Sequence, residues 1–429
     1  MKNLITSILI WEAKWALKRF TPRIIAITGS VGKSSTKEAI AAVLENKFRI
    51  RKSQKSYNSS LGMALSILGL TTAWKNPLGW LKNIVKGFLE LKNKKFPEIL
   101  VLEMGVDRPK DLDTLLKIAR PDISVVTAIG KIPVHVEFFA GPEEVAKEKA
   151  KIIRALSTQG YAILNMDDDV VWDMSAQGGE KINAHIISYG FHQDANFSAS
   201  NYKISPEGIN FKIDTDGVSV PVTLKNAFGK QHVYAALAAA CVAHAVGINL
   251  IETSEALSLY KPLPGRMRLM DGIKESYILD DSYNASPLAT HEALDTLRDM
   301  YESMAEEKRG RKIVVFGDMM EIGKFTIEAH KVAGKKVSEI AGYFITVGPR
   351  AKFSSDEAVM CGMDKNHVIN FSTSQEAGEY LKPIIQKNDL ILVKGSQAIR
   401  MEKVVLEIMA HPEEAEKTLV RQDEYWKTH

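Results

Sequence analysis

The chain has 429 residues, of which 45% are hydrophobic and 25% are charged. This composition indicates a globular protein too long for one hydrophobic core, so two or three domains are expected. Because 56 lysine and arginine residues oppose 52 aspartate and glutamate residues, the formal charge is only +4, which argues against a nucleic-acid partner. The two cysteines, Cys241 and Cys361, lie far apart in apolar surroundings and favour a reducing cytoplasm over a disulfide framework.

Residues 1–22 begin the chain with a predicted amphipathic helix, which contains MKNLITSILIWEAKWALKRF. Charged residues interrupt its apolar positions, so the segment falls short of the roughly 20 apolar residues that a bilayer span needs. Residues 73–96 have the same mixture of apolar residues and lysines. Each segment either packs on the protein's own core or lies on a membrane surface, with Trp11 and Trp15 as anchors. A cytoplasmic protein is expected, with peripheral membrane contact as one alternative.

From residue 23 onward, short β-like runs alternate with helical patterns, an order typical of parallel sheets. The runs RIIAIT, EILVLEMG and DISVVTAIG belong to this part, whereas residues 182–224 change to short alternating segments that predict antiparallel strands. The segment YKPLPGRMR then indicates a boundary. The predicted fold is α/β: a central P-loop domain over residues 23–261, with a mostly parallel sheet and an appended antiparallel sheet, and a Rossmann-like α/β domain over residues 262–429.

The stretch IAITGSVGKSSTKEAI predicts a phosphate-binding loop, because a glycine-rich turn stands between a strand and a helix. Gly29 and Gly32 permit a tight backbone, Lys33 supplies a positive charge for the β- and γ-phosphates, and Ser34 offers a hydroxyl to magnesium. Ile27 stands where the standard pattern has its first glycine, so a fortuitous glycine turn is the alternative. The flanking strand and helix favour ATP binding.

Three further residues suggest metal chemistry near this loop. Glu103 ends one β-like run, His135 follows the next run, and Lys149 lies in a helical pattern. Since the carboxyl ends of parallel strands gather at one edge of a sheet, Glu103 and His135 are expected beside the loop, where they would hold magnesium. Each residue alone also has an ordinary explanation, as a solvated carboxylate, a histidine that satisfies a loop, or an exposed lysine.

Together these motifs resemble the Mur ligase family. The matching segments run from about residue 24 to residue 405 and include ITGSVGKSSTKEAI, YNSSLGMALSILG, HVEFFAGPEEVAKEKAKII, LPGRMR, YILDDSYNASPLATHEAL, KIVVFGDMMEIG and LILVKGSQAIRMEKVV. They are most similar to the branch that adds D-alanyl-D-alanine to a UDP-N-acetylmuramoyl tripeptide. The resemblance implies an ATP-dependent ligase of cell-wall precursor synthesis, in which a substrate carboxylate becomes an acyl phosphate that an amine then attacks.

The resemblance also implies cofactors and site residues. It implies ATP and two magnesium ions, with a carbamate on Lys149 that serves the second ion, and it makes Lys33, His135 and Lys149 the catalytic residues. ATP would be held by Gly29, Ser30, Gly32, Lys33, Ser34, Ser35, His232, Arg266 and Asp281. The metal ligands would be Ser34, Glu103, His135 and Lys149, and the acceptor and amine would meet Asn58, Asn284, Lys394 and Ser396.

Two departures from the family pattern bear on substrate binding. The phosphate loop begins at Gly29, so the N-terminal UDP-sugar-binding domain of that branch is expected to be absent. The acceptor is then either held otherwise or is different, for example lipid-linked. In FGKQHVYAAL, Gln231, His232 and Ala235 stand where the family has a His-Asn pair and a later Asn. Adenine selectivity is therefore open, and His232 is the expected replacement.

Three functions follow from these observations. The first is the D-alanyl-D-alanine-adding ligase, and the second keeps the ligase chemistry with a poly-amino-acid, folate-type or lipid-linked acceptor. The third is a nucleotide-binding partner without turnover. The expected partners are a peptide carboxylate and an amine, and the chain is expected to be a monomer. Closure of its domains would exclude water from the acyl phosphate.

Overall fold

Two β-sheets organise the computed structural model, which describes residues 2–54, 57–74, 76–175, 182–423 and 426. Over these residues, the first sheet has nine strands and the second has six. Helices accompany both sheets, which confirms the predicted α/β class. The predicted domain boundary after residue 261 falls in the segment between the two sheets and stays a prediction.

The first sheet follows the apolar runs of the sequence. Its strands are β1 Arg23–Thr28, β2 Ile50–Lys52, β3 Ile99–Glu103, β4 Ile123–Val126, β5 Tyr161–Asn165, β6 His185–Gly190, β7 Phe197–Ser205, β8 Gly208–Thr215 and β9 Val218–Lys225, in the spatial order β2-β3-β1-β4-β5-β6-β7-β8-β9. Only the β7–β8 and β8–β9 pairs are antiparallel. The antiparallel part therefore begins later than the predicted residue 182, because β6 pairs in parallel with both of its neighbours.

Helices cover the first sheet on both faces, because its inner strand β1 is apolar on both sides. Ile25 and Ile27 of β1 join one buried cluster, whereas Ile24 and Ala26 join another on the opposite face. This is why the run reads as continuously apolar rather than alternating. The helices of this half are α1 Lys2–Phe20, α2 Lys33–Leu44, α3 Ser60–Leu68, α4 Pro77–Glu90, α5 Asp111–Leu116, α6 Pro142–Arg154, α7 Asp169–Trp172, α8 Lys230–Ala245 and α9 Leu250–Leu257.

The second sheet is parallel except for its edge strand β10, which pairs antiparallel with β11. Its strands are β10 Arg268–Gly272, β11 Ser276–Asp281, β12 Lys312–Gly317, β13 Tyr343–Val347, β14 Val368–Phe371 and β15 Leu390–Lys394, in the order β10-β11-β15-β12-β13-β14. The accompanying helices are α10 Pro287–Ser303, α11 Thr326–Ile340, α12 Lys352–Met360, α13 Ser374–Ile384, α14 Glu402–Ile408 and α15 Ala415–Thr418.

The two predicted amphipathic segments form helices that pack together beside the first sheet. Helix α1 contacts α3 and α4, and its Leu9, Ala13 and Ala16 are buried. Trp11 and Trp15 on the same helix remain exposed. The described part of the second segment, predicted over residues 73–96, is helical over α4 and not beyond it. None of the helices described in the structure combines the length and apolarity needed to cross a bilayer.

Candidate active site between the two sheets

A cavity of about 690 Å³ lies between the two sheets, beside the carboxyl ends of β3, β11 and β15. Both its position and its size are typical of ligand sites in α/β proteins. Three residues of the predicted site do not line it: Gly29, Lys149 and His232. The predicted residues that do line it are Ser30, Gly32, Lys33, Ser34, Ser35, Asn58, Glu103, His135, Arg266, Asp281, Asn284, Lys394 and Ser396.

The phosphate loop depends on its two glycines. Gly29 has a φ of 144°, and a Cβ atom there would lie 2.0 Å from the Thr127 hydroxyl oxygen. Gly32, with a φ of 89°, precedes the first turn of α2. The Ser30 N–H donates to the Ala128 carbonyl at 2.7 Å and fixes the loop against the segment after β4. The first amides of α2 have no acceptor within the helix, so this end of α2 can bind an anion.

Two lysines from different helices meet at the Gly29 carbonyl. The Lys33 amine donates to this oxygen at 2.7 Å, and the Lys149 amine donates to it at 3.2 Å. Burial lowers the pKa of Lys33, and burial together with the charge of Lys33 holds the pKa of Lys149 well below its usual range. Lys149 is only 1% exposed, so it lies behind the loop rather than in the cavity wall. The alternative of a plain exposed lysine at this position is therefore wrong.

Glu103 lies under the loop with its carboxylate already engaged. Its Oε2 accepts a hydrogen bond from the Ser34 hydroxyl at 3.3 Å, and its Oε1 lies 3.0 Å from the Lys37 amine. A carboxylate and a hydroxyl are oxygen donors of the kind that magnesium prefers. Across the described residues, no group of three or more His, Cys, Asp or Glu side chains is arranged to hold a metal. Ser34 and Glu103 are therefore the residues beneath the loop that could hold a magnesium ion.

His135 connects the two halves of the molecule. It has a left-handed backbone, and its Nε2 lies 3.3 Å from an Asp107 carboxylate oxygen. Its Nδ1 lies 2.9 Å from a carboxylate oxygen of Glu321, which follows β12 in the second half. The hydrogen bond with His135 lowers the pKa of Glu321. In this arrangement one ring nitrogen of His135 faces a carboxylate of its own half, Asp107, and the other faces Glu321 across the cleft.

Arg266 approaches the phosphate loop from the second half. Its Nη2 donates to the Ser34 hydroxyl at 3.2 Å, and its guanidinium carbon lies 3.8 Å from the centroid of the Tyr283 ring. Among the residues that the structure describes, its Nε is buried without a hydrogen-bond partner, as are Ser30 Oγ and Gln231 Oε1, and all three residues line the cavity. Because buried polar groups in the rest of a fold are normally paired, this cluster indicates a polar ligand.

The opposite wall is held by an ion pair between Lys394 at the end of β15 and Asp281 at the end of β11. The Lys394 amine also donates to the Asn284 carbonyl at 3.0 Å. The Ser396 hydroxyl accepts a hydrogen bond from the Met320 N–H at 2.9 Å. These four predicted site residues therefore lie together, and Lys394 is paired with a neighbour.

His232 does not face the cavity. It is completely buried, and its two ring nitrogens lie 2.9 Å from the Tyr260 hydroxyl and 3.0 Å from the Arg266 carbonyl. Burial lowers its pKa to about 4, so the ring is neutral. The preceding residue, Gln231, lines the cavity instead. Gln231 therefore lies in the cavity wall in place of His232, the predicted adenine contact. His232 instead positions Arg266 through the contact with its carbonyl.

Sequence reasoning missed several residues of the cavity wall. Asp107, Tyr283, Glu292 and Glu321 all line it. Burial raises the pKa of Glu292 to about 7, and Lys394 and Asp281 lie near it. Tyr283 and Glu321 belong to the segments YILDDSYN and KIVVFGDMMEIG, so their position directly after a strand was an available signal. For Glu292, in the middle of α10, the sequence offers no such signal.

Known protein families match both halves of the chain. The Mur ligase middle domain matches residues 27–243, and the Mur ligase glutamate ligase domain matches residues 265–397. The first of these matches alone covers more than half of the chain. The chain therefore belongs to the Mur ligase family, whose members are ATP-dependent ligases.

Within that family, the similarities are to MurF ligases. The chain is 28% identical to the UDP-N-acetylmuramoyl-tripeptide--D-alanyl-D-alanine ligase of Bacillus subtilis, over 93% of this chain and 79% of that protein. It is 27% identical to the Escherichia coli ligase of the same name, over 92% of this chain and 78% of that protein. The crystal structure of MurF from Thermotoga maritima in complex with ADP superimposes with a TM-score of 0.77 at 25% identity, over 96% of this chain and 84% of that one.

Proposed function

We propose that this chain forms an amide bond between D-alanyl-D-alanine and the peptide carboxylate of a UDP-N-acetylmuramoyl tripeptide, with ATP as the energy source. One observation carries the proposal: the phosphate loop of the first half faces Arg266 of the second half across one cavity. Similarity to the Bacillus subtilis ligase over 93% of the chain supports the choice of substrates. A monomer stays a prediction, and the use of ATP supports a cytoplasmic location.

The chain's own residues would activate the acceptor as follows. A carboxylate is a poor electrophile, and transfer of the γ-phosphoryl group to it supplies a leaving group. Lys33 and Arg266, which approach the same point from two halves, would neutralise negative charge as that group moves. Asp281 stays the proposed contact for the ribose. Gln231 replaces His232 as the proposed contact for adenine, because its Oε1 is buried without a partner in the wall.

Magnesium fits the residues present. Ser34 and Glu103 would hold a first ion through a hydroxyl and a carboxylate, and His135 and a carbamylated Lys149 would serve a second. Bound there, magnesium would neutralise charge on the phosphate oxygens. For His135, this role requires one ring nitrogen to exchange its present carboxylate neighbour, Asp107 or Glu321.

The surroundings of Lys149 support its carbamylation. The neutral amine, formed when the ammonium group loses a proton, is the form that attacks carbon dioxide: a nitrogen–carbon bond forms, one carbon–oxygen π bond opens to a carboxylate oxygen, and a second proton leaves the nitrogen. In total two protons are released, and a cation becomes an anion. Burial and the charge of Lys33 keep the pKa of Lys149 well below its usual range, so its neutral form is reached at a lower pH than that of an ordinary lysine. The carbamate would remove the repulsion between these two lysines.

The two organic substrates would meet in the remaining wall. Asn58, which immediately precedes the cap of α3, lies on the side of the first half and is proposed to contact the acceptor. Asn284, Lys394 and Ser396 lie on the side of the second half and are proposed to contact the amine. The carboxylate of Asp281 holds Lys394 in place. Closure of the cleft would keep water from the acyl phosphate.

Phosphate release from ATP tests this function. Purified protein is incubated with ATP and magnesium, with or without UDP-N-acetylmuramoyl tripeptide and D-alanyl-D-alanine. Release is expected only when both are present, together with formation of the pentapeptide by mass spectrometry. Lys33→Ala should lower the rate at least ~100-fold, because it removes the positive charge that stabilises the transferred phosphoryl group. Lys212→Ala, at an exposed lysine on β8, is the matched control.

The same assay separates the alternatives. Turnover with a different amine or acceptor, such as glutamate with a folate or a lipid-linked peptide, but not with D-alanyl-D-alanine, would overturn the choice of substrates and keep the ligase chemistry. Nucleotide binding without turnover on any pair would favour the non-catalytic partner. Phosphate release that needs neither acceptor nor amine would contradict the ligase mechanism itself.

A further inference from the structure

An exposed apolar surface lies on the outer side of α1 and α4, and none of its residues lines the cavity. We call it the α1–α4 face and define it by Leu4, Trp11, Trp15, Leu78, Leu81, Val85, Phe88 and Leu89, each at least 40% exposed. The two helices form one surface, because the rings of Trp11 and Trp15 lie 5.3 Å apart and those of Trp15 and Phe88 lie 6.2 Å apart. A continuous apolar surface of this kind usually marks an interaction site.

Helix α4 is oriented opposite to an ordinary amphipathic helix of a globular protein. Its buried residues are Asn83 and Gly87, whereas Leu81 and Val85 are 59% and 54% exposed. The spacing of Leu78, Leu81, Val85 and Phe88 places them along one side of the helix. In an ordinary case the apolar stripe faces the core. Here it faces outward and leaves a row of apolar side chains in contact with water.

Lysines surround this apolar surface. Lys14 and Lys18 on α1, Lys82 and Lys86 on α4, and Lys92 just after α4 are all exposed. The Lys92 amine lies 5.9 Å from the centroid of the Phe88 ring. The glutamate in the middle of α1, Glu12, is only 2% exposed and so adds little negative charge to the surface. The face is therefore apolar in its centre and basic around it.

We propose that the α1–α4 face binds the surface of an anionic lipid bilayer, with α1 and α4 lying parallel to it. Tryptophan, leucine and phenylalanine beside lysines are the composition of helices that insert at the headgroup boundary. A second copy of the chain fits less well. A two-fold contact would bring two sets of exposed lysines together and would need a buried negative partner, which this face lacks.

Binding of the α1–α4 face to a membrane would also determine which side of the cavity lies near that membrane. Helix α1 packs on α3, and Asn58, two residues before α3, lines the cavity. Docking would therefore hold the acceptor side of the cleft near the membrane. The binding itself rests on the α1–α4 face alone and does not depend on the proposed ligase activity.

Flotation with lipid vesicles tests the inference. The full chain is mixed with vesicles of phosphatidylcholine, or of phosphatidylcholine with phosphatidylglycerol, and separated on a density gradient. It is expected to float with the anionic vesicles, less with the neutral ones, and less at high salt. The combined substitution Leu81→Gln, Val85→Gln and Phe88→Ser should lower the partition coefficient at least about tenfold. Lys82→Glu with Lys86→Glu should lower it at least about fivefold for each lysine.

Matched controls use similar residues elsewhere. Ile251→Gln with Leu259→Gln replaces apolar side chains that are 64% and 67% exposed, and should leave the partition coefficient unchanged. Lys335→Glu controls for a charge reversal. Thermal unfolding verifies that each variant is folded. The inference is overturned if wild-type protein stays at the bottom of both gradients, if the α4 variants float like wild type, or if the wild type is a dimer that the α4 substitutions dissociate.

Discussion

Lys147 and Lys149 lie two residues apart on α6, but the side chain of Lys147 is exposed and that of Lys149 is buried. Lys149 is buried against the Gly29 carbonyl, whereas the Lys147 amine forms an exposed ion pair with Glu144 at 2.9 Å. This hydrogen bond raises the pKa of Lys147, while burial holds the pKa of Lys149 well below its usual range. Lys149 therefore reaches its neutral form at a lower pH than Lys147 does.

This contrast predicts selective carbamylation. After incubation with carbon-13 bicarbonate, wild-type protein should show a carbamate carbon resonance that Lys149→Arg lacks and Lys147→Arg retains. Lys149→Arg should also lower the ligase rate at least ~100-fold, since it leaves a cation where an anion is needed. Acidification below the pKa of Lys149 protonates the amine and should remove the resonance. A signal that survives in Lys149→Arg would contradict the assignment.

Glu12, like Lys149, is a buried ionisable residue with a shifted pKa. It lies between α1 and α4, and its Oε2 is buried with no hydrogen-bond partner in the described structure. Burial raises its pKa from 4.5 to about 7. The folded state then binds more protons than the unfolded state between these two values. The free energy of unfolding should therefore fall as pH rises through this window.

Glu12→Gln tests this pH dependence. At pH 8 the substitution should raise the free energy of unfolding by about 1 to 2 kcal/mol, and at pH 4 it should have little effect. Urea unfolding at several pH values measures the difference. Glu255→Gln, at an exposed glutamate of α9, should change neither value. An equal gain at both pH values would show that the carboxyl charge is not the cause.

At the scale of elements, Asp168 connects α7 to the loop after β4. Its Oδ2 accepts hydrogen bonds from Ile129 N–H at 2.8 Å and Gly130 N–H at 2.9 Å, and its Oδ1 accepts one from Val171 N–H at 3.1 Å. The loop that it fixes continues to His135. One buried carboxylate thereby fixes both the start of a helix and the approach to the cavity.

Removal of this carboxylate should destabilise the fold. Asp168→Ala leaves three backbone amides without their acceptor, and we expect a loss of about 2 to 3 kcal/mol in the free energy of unfolding. The neighbouring Asp169→Ala removes an exposed charge from the first turn of α7 and should cost under about 1 kcal/mol. Urea unfolding compares the two. Equal losses would mean that the hydrogen bonds of Asp168 add no more to the free energy of unfolding than the exposed charge of Asp169 does.

The elements also show what the sequence can predict. Strands β1, β3 and β15 are buried on both faces, so each is a plain apolar run that sequence reasoning recognises. The phosphate loop was predictable because its glycines, lysine and serine are adjacent in the chain. The adenine contact was not, because α8 begins after Gly229 and its first turn directs Gln231 rather than His232 to the cavity. Contacts across the cleft, such as His135 with Glu321, arise only when the two halves meet.

At the scale of the whole molecule, the cleft brings like charges together. Arg266 of the second half approaches Ser34, next to Lys33 of the first half. Burial is the main cause of the lowered pKa of Lys33, and the charge of Arg266 lowers it further, whereas the charge of Glu103 acts in the opposite direction. The two cations repel each other without an anion between them. The phosphates of a nucleotide would remove this repulsion, so nucleotide binding should favour the closed arrangement of the two halves.

Small-angle scattering tests this coupling. A folded chain of this length has a radius of gyration of about 22 Å, and a non-hydrolysable ATP analogue with magnesium should reduce the measured value. Arg266→Gln should abolish the compaction while weak nucleotide binding to the first half persists, whereas Lys33→Ala should weaken the binding itself. Arg268→Gln, whose arginine donates to the Thr418 carbonyl and does not line the cavity, is the matched control. In this proposal, closure requires an anion between cations from the two halves. If Arg266→Gln compacts as much as wild type, the proposal is wrong. Other contacts, such as His135 with Glu321, would then be sufficient to close the cleft.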